Sequence, residues 1–593
     1  MRVEQGFQIP LYEDGNAYTT DPVLRSLLKR VLPEKVFSEL EPDFQRLGDE
    51  VNTVIRDVHR RGEVNDPTLV QYDQWGRRVD RLQTSEGWRK LKAISQRQGL
   101  PAIFYERKHG EYSRIDGFAR VLMMAGDMHT IFCPISMTDG CARVIELVGT
   151  PAMKKDIFPR LISRDPEQAF TAGQWMTERP GGSDVSQTET RATATGAKSE
   201  YGPVYTLDGF KWFSSATDSD VALALGRSGA LESGSRGLSL FMVPLRKPLL
   251  REPGAVEPSP ISNNIFVHRL KNKFGTKALP TAELSLEGAE GYRVGAENQG
   301  VKLITPVLNI TRVWSAVNSV SALRRSLAIA TSYAKVRRIR GGTQLLQDTP
   351  LHVAQLAQLN LVYRALAHFA FGVVHLLGKS ECGTATEDER YLLRIMTPTV
   401  KAFATEKAVP AIADAMAALG GNGYMEENDI ARLLRDAMVE RIWEGTTTVL
   451  SLDLARAMKG DAVRAFSNWA NSVLQAISPS LNEKTATEVQ FLRACVAELG
   501  QCFTGQTSTL VPRPALMLMG CTLSSLFLLQ HACWSVSTQQ PEADLEEEAV
   551  SRWVRESGVE GYLQAVRQSK DDVQRRVAYD HVLVFGRPMT AKL

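Results

Sequence analysis

The stretch VERIWEGTTTVLSLDLARAM (439–458) sets the carboxylate of Glu444 between an indole and Gly445, ahead of three threonines and an apolar-periodic run. A carboxylate that merely opens a helix sits more comfortably in water, and helix capping explains the threonines but neither Trp443 nor Glu444. Just upstream, ALGGNGYMEE (418–427) carries Gly420, Gly421, Asn422 and Gly423, which end one helix and let a backbone approach a ligand closely. Thr446 to Thr448 can cap the next helix while their amides face an anion.

Two further stretches offer ligand-binding chemistry. In MTERPGGSDVSQTETRA (176–192), Thr177 and Ser183 supply hydroxyls, and Gly181 and Gly182 leave backbone N–H groups open to an anionic or carbonyl-rich cofactor. Alone, PGGSD reads equally as a surface turn. In GFKWFSSATDSD (209–220), Trp212 and Phe213 can form a stacking wall for a flat ring, followed by the hydroxyls of Ser214 and Ser215. Core aromatics at a strand end have the same appearance, so neither stretch decides alone.

The elements that must position these residues change along the chain. Apolar residues at helical spacing in DPVLRSLLKRVLP and FARVLMMAGDMHTIF mark 1–168 as a helical domain. Short alternating and β-branched runs (VYTLDGFKWFS, VALALGR, GLSLFMVPL, AELSLEG) mark 169–295 as a small antiparallel β-domain, with Asp208-Gly209 as a hairpin signal. Long helical patterns return over 296–460 as bundle material, and 461–593 is a further helical domain interrupted by PEADLEEEAV, a solvated loop or helix start. The fold class is therefore mainly α with an inserted antiparallel β-domain. The chain is read as lacking an unbroken apolar run of about 18 residues, and no membrane span is expected.

In this order and spacing, MTERPGGSDV, GFKWFSS, ALGGNGY and RIWEGTTTVLSLDLARA resemble the signature blocks of the acyl-CoA dehydrogenase family. QYDQWGRRVDRL (71–82), CPISMT (133–138), Trp443 before the glutamate and the long helical region after 460 resemble its AidB branch. The resemblance implies an FAD-dependent acyl-CoA dehydrogenase, or an oxidase if oxygen reoxidises the flavin, acting on a fatty acyl-CoA thioester, with Glu444 as the base that removes the proton α to the carbonyl. Such a base must be partly desolvated so that its basicity rises, and the resemblance lets Trp443 supply that desolvation while Gly445 leaves room for substrate. It also places Arg312, in NITRVW, beside the carboxylate to hold it ionised. Met176, Thr177, Gly182, Ser183, Phe213, Ser214, Ser215, Thr446 and Thr448 fall on flavin contacts. Arg337, within a run of four basic residues from Lys335 to Arg340, and the loop Gly421, Asn422 and Gly423 fall on positions that meet a neighbouring subunit's FAD. The cofactor then needs a homodimer or homotetramer.

Composition sets limits on the alternatives. Lys and Arg number 70 against 67 Asp and Glu, a net charge of +3 that provides no global field for a polyanion. The AidB branch suggests a DNA-associated protective flavoprotein, but residues 461–593 hold 12 Lys and Arg against 14 Asp and Glu, a net −2, so nucleic acid is not the expected partner. A third reading is a protein that binds acyl-CoA or fatty acid without turnover; the intact block around Glu444 weighs against it. Seven scattered cysteines without a C-x-x-C point to reduced thiols, and no metal site is expected. Ala591-Lys592-Leu593 is a variant of the S-K-L tripeptide, so recognition by the peroxisomal import receptor and a peroxisomal location are expected, otherwise a cytoplasmic one.

Overall fold

The computed structural model describes residues 9–10, 15–250, 261–503 and 508–587; the C-terminal Ala-Lys-Leu lies outside the described residues. The first helix, Pro22–Val31, begins on an Asp-Pro pair: the Asp21 side chain accepts the Leu24 N–H at 3.1 Å, and proline occupies a position whose N–H needs no helical partner. Asp21 Oδ2 also accepts from Arg324 Nε and from the Tyr363 hydroxyl, each at 2.6 Å. The cap of the first helix thus ties the N-terminal region to two helices of the bundle. Helices continue to Leu161, with a hairpin of β1 (Thr68–Tyr72) and β2 (Arg78–Gln83) among them.

Seven strands follow: β3 (Ala172–Trp175), β4 (Arg191–Ser199), β5 (Gly202–Ser215), β6 (Val221–Arg227), β7 (Leu238–Pro244), β8 (Ile265–Leu270) and β9 (Thr281–Val294). The path β6-β4-β5-β9-β7 returns to β6, so the sheet closes around Trp175, Leu207, Ala222, Phe241 and Leu284. Pairing is antiparallel except between β3 and β6 and at Arg191 opposite Arg227. Asp208-Gly209 is not a hairpin turn. It lies inside β5 at a register shift against β9, and the β4–β5 turn falls between Ser199 and Gly202. The glycine is needed there because a Cβ would lie 2.6 Å from Thr190 Cα.

The bundle consists of Gly300–Val336, Pro350–Cys382 and Glu387–Ala417, followed by the shorter Ile430–Glu440 and Thr447–Ala457. The C-terminal region is fused to it rather than appended. A Cβ at Gly520, on helix Pro512–Ser537, would lie 2.3 Å from the Phe403 ring, and one at Gly372 would lie 2.2 Å from the Phe527 ring. Two glycines therefore let helices from the two regions meet at close range, and one continuous apolar core runs through both.

Two expectations need correction. Pro350–Cys382 and Pro512–Ser537 are long and apolar enough by composition to cross a membrane; Arg364 breaks the first, and uncharged Ser, Thr, Cys, Gln and His residues break the second, for a search for unbroken apolar runs. In the fold, 78% and 89% of their most apolar windows are buried, so they are core helices. The segment PEADLEEEAV does begin a helix, Ala543–Glu556, but it is not simply solvated: Glu546 is buried in an ion pair with Arg364, and Glu547 accepts from Lys484 at 2.5 Å.

Candidate functional site

Helix Ile430–Glu440 ends four residues before Glu444, and helix Thr447–Ala457 begins three after it, with Thr446 as its N-cap accepting from the Val449 N–H at 3.4 Å. The intervening turn is strained. Glu444 sits at φ +56° and Gly445 at φ +102°, and a left-handed glutamate costs about 1–3 kcal/mol unless its surroundings over-determine it. They do. The Glu444 carbonyl accepts from Arg312 Nε at 3.3 Å, and the Gly445 carbonyl from Lys401 Nζ at 2.7 Å. Two cations from two different helices therefore hold consecutive carbonyls of the turn.

The Glu444 carboxyl is half-buried, and its Oε2 accepts the Thr311 hydroxyl at 2.6 Å. Burial pushes its pKa up; the Thr311 bond and the charges of Arg312 and Lys401 offset this only in part. Arg312 does stand beside Glu444, where its charge favours the ionised carboxyl as expected, and it has a second task. Its ion pair is with Asp453 at 2.8 Å, shared with Arg394 at 2.6 Å, and it reaches Glu444 only at the carbonyl. Arg312 thus acts on Glu444 both through its charge and by holding the carbonyl of the turn. The Trp443 indole N–H is likewise committed elsewhere, donating to Glu440 Oε2 at 2.5 Å. Among the described residues the Glu444 backbone N–H has no acceptor, which leaves it open to a ligand.

The two stretches read as ligand-binding meet at the sheet through a buried ion pair. Lys211 Nζ lies 2.6 Å from Glu178 Oε1, with side chains 0% and 2% exposed, and also donates to the Leu225 carbonyl at 2.8 Å. The Trp212 N–H donates to the Thr177 carbonyl at 3.0 Å, so Thr177 stands against the last stretch of β5 that carries Trp212 and Phe213. Gly182 packs on Thr177, where a Cβ would lie 2.7 Å from its hydroxyl. Ser183 is exposed beside it, and Met176 is half-buried against the core under the sheet. Phe213 is 49% exposed, and the Lys271 ammonium stands 3.3 Å from the Trp212 ring centre and 4.6 Å from that of Phe213. Ser215 bonds Thr281 at 3.1 Å, and Thr281 also accepts from Lys273 at 3.1 Å. Ser214 is not a side-chain ligand: alternation along β5 turns it inward, where its hydroxyl is buried and unpaired.

A third group lies apart from these. Arg337, Gly421 and Asn422 line a cavity of about 300 Å³ together with Tyr333, Ile339 and Leu419. Gly423 is buried rather than on that wall; its Cβ would lie 1.9 Å from the Met416 carbonyl oxygen, so it serves the fold of the loop. Thr448 is exposed, and its hydroxyl accepts from Arg513 of the C-terminal region at 3.1 Å rather than facing the turn.

Several residues that shape the site went unnoticed in the sequence: Thr311, Lys401, Glu440, Lys273 and Asp453. Glu440 lies inside the quoted stretch, three residues before the indole it accepts from, whereas Thr311, Lys401 and Asp453 meet the turn or Arg312, and Lys273 the sheet end, only through tertiary packing. The fold also gathers His368, His531 and Glu546, all buried, with potential ligand atoms within 4.8 Å of one another. Glu546 is already paired with Arg364, and Arg30 adds a second guanidinium to the surroundings, so a dication placed there meets net positive charge.

Comparison with known proteins covers all of these regions. Residues 7–168 match the model for the adaptive response protein AidB N-terminal domain. Residues 173–289 match the acyl-CoA dehydrogenase middle domain, and 298–459 its C-terminal domain. The chain is 40% identical to acyl-CoA dehydrogenase family member 11 of Caenorhabditis elegans over 454 residues, 75% of this chain and 71% of that protein. It is 28% identical to the putative acyl-CoA dehydrogenase AidB of Escherichia coli K12 over 414 residues, 68% of this chain and 72% of that one. The crystal structure of C. elegans ACDH-11 in complex with C11-CoA superposes with a TM-score of 0.88 at 33% identity, covering 99% of this chain and 98% of that one.

Proposed function

Because the chain belongs to the acyl-CoA dehydrogenase family, whose members are FAD flavoproteins, we propose that it catalyses α,β-dehydrogenation of a fatty acyl-CoA with Glu444 as the base. The residues present fit FAD. An exposed aromatic wall with an ammonium beside it, hydroxyls at Thr177 and Ser215, and an arginine-lined cavity form the donor set of a flat, carbonyl-rich group with a pyrophosphate. When bound, FAD supplies the acceptor for the hydride that leaves the β-carbon.

The chain's own part is proton removal and charge stabilisation. With Oε2 engaged by Thr311, Oε1 of Glu444 takes the α-proton, and burial gives that oxygen the basicity the step requires. The unpaired N–H of Glu444 polarises the thioester oxygen as negative charge develops on it. The observation that carries the proposal is this pairing of a raised carboxyl and a free N–H on one strained residue. Anaerobic addition of straight-chain acyl-CoA thioesters to the FAD-loaded protein tests it. The oxidised flavin spectrum bleaches with at least one chain length; a spectrum unchanged across the series overturns it. The C. elegans relative's complex with C11-CoA makes medium chains the first to try.

The same proposal includes assembly and location. The Arg337 cavity is read as the part of the site that meets a partner subunit's FAD, giving a homodimer or homotetramer, and Ala591-Lys592-Leu593 as a peroxisomal address. Sedimentation of the FAD-loaded protein tests the first. A fluorescent fusion with and without the terminal tripeptide tests the second.

A further inference from the structure

A chain of three side chains runs from the turn after β8 to the end of β5. Ser215 and Thr281 stand directly opposite each other in the β5–β9 register, and their hydroxyls are 3.1 Å apart. Lys273 sends its ammonium to the Thr276 carbonyl at 2.6 Å, the Leu279 carbonyl at 2.7 Å and the Thr281 hydroxyl oxygen at 3.1 Å. Two of these bonds shape the turn. Thr276 sits at φ +52°, which a β-branched residue avoids, and its N–H donates to Asp436 Oδ1 at 2.5 Å. A Cβ at Gly275 would lie 2.2 Å from the Arg435 carbonyl oxygen, so the turn is pressed onto helix Ile430–Glu440, which ends four residues before Glu444. The third bond leaves the turn and reaches β9.

That third bond sets a direction. An ammonium has three donors and no lone pair, so Thr281 Oγ1 accepts from it. The Thr281 proton then needs an acceptor of its own, and Ser215 Oγ at 3.1 Å is nearer than the Leu279 carbonyl at 3.5 Å, which already accepts from Lys273. Ser215 therefore accepts, and its own proton has no acceptor among the described residues. An oxidised isoalloxazine edge presents carbonyl oxygens and ring nitrogens that accept, so a hydroxyl committed as donor suits it better than one free to turn either way. Resting on the reading of Ser215 as an FAD contact above, we propose that Lys273 is a positioning residue that acts through Thr281 to keep the Ser215 proton available to the flavin. Without the lysine, Thr281 Oγ1 becomes the acceptor at hand for that proton and diverts it.

Titration of FAD into the FAD-free protein, followed by flavin fluorescence, tests this chain of bonds without turnover. Ser215→Ala and Lys273→Met should each weaken binding about tenfold, and the two together no further than either alone. Adding Thr281→Val to Lys273→Met removes the competing acceptor and should restore affinity to within about threefold of wild type, a rescue that a merely structural lysine does not give. Wild-type affinity in Lys273→Met, additive losses with Ser215→Ala, or absence of the rescue overturns the inference. If Lys273→Met does not fold, Thr281→Val alone decides. Affinity within about threefold of wild type supports the stated direction, because the Ser215 proton was not spent on Thr281; a gain of about tenfold, or a loss as large as in Ser215→Ala, overturns it. Undiminished binding in Ser215→Ala defeats the reading of Ser215 as a contact and the inference with it, whereas a wild-type chain that takes up no FAD defeats the proposed function itself.

Discussion

Glu444 occupies a conformation that non-glycine residues avoid, and the protein holds it there with a cation on each of two consecutive carbonyls. The carboxylate itself was readable from sequence, because a helix cap does not call for Trp443 and Glu444 together. Its surroundings were not, because Thr311 and Lys401 lie 133 and 43 residues away and meet it only through packing. The same contrast holds at Glu178 and Lys211, which sit inside two quoted stretches whose mutual contact no spacing reveals. Burial pushes Glu178 up, but Lys211, Thr190 and the Glu189 N–H outweigh it and hold the carboxyl below its usual range. A depressed carboxyl contributes stability above its unfolded pKa, and that contribution is lost as pH falls through the folded value. Lys211→Met, which strands the buried carboxylate, should cost roughly 3–5 kcal/mol at pH 7 in denaturant unfolding. Glu178→Gln with Lys211→Met should recover most of this and flatten the loss of stability below about pH 4. A single variant as stable as wild type contradicts the role given to this pair.

At the scale of elements, alternation of helical and β periodicities separated the β-domain from the bundle, and that much was legible. Asp208-Gly209 misled because the same dipeptide serves a tight turn or a bulge, and close approach of Thr190 to Gly209 decides for the bulge. The apolar helix Pro512–Ser537 was passed over as a possible span, and its partner is visible only in three dimensions. Its Gly520 should be intolerant of bulk. Gly520→Val pushes against the Phe403 ring and should lower stability by about 1–3 kcal/mol in thermal or denaturant unfolding. Gly500→Ala lies on helix Pro479–Cys502, where the nearest atom to a new Cβ is 3.6 Å away, and should be neutral or stabilising by up to about 1 kcal/mol. Equal effects at the two positions contradict the close fit of the C-terminal region to the bundle.

At the scale of the molecule, the proposed site is divided between a sheet end, a strained turn between helices and the Arg337 cavity, and the chain's near-neutral charge leaves phosphate recognition to local groups. Arg337→Ala should therefore lower FAD retention on gel filtration by about tenfold or more while leaving the melting temperature of the FAD-free chain unchanged. Retention equal to wild type removes Arg337 from the cofactor site. The account rests most heavily on Glu444, and the most direct measurement is stopped-flow flavin reduction in Glu444→Gln under anaerobic acyl-CoA. It predicts that FAD remains bound with an unaltered oxidised spectrum while reduction slows by roughly 10²–10⁴-fold. Reduction at the wild-type rate contradicts it.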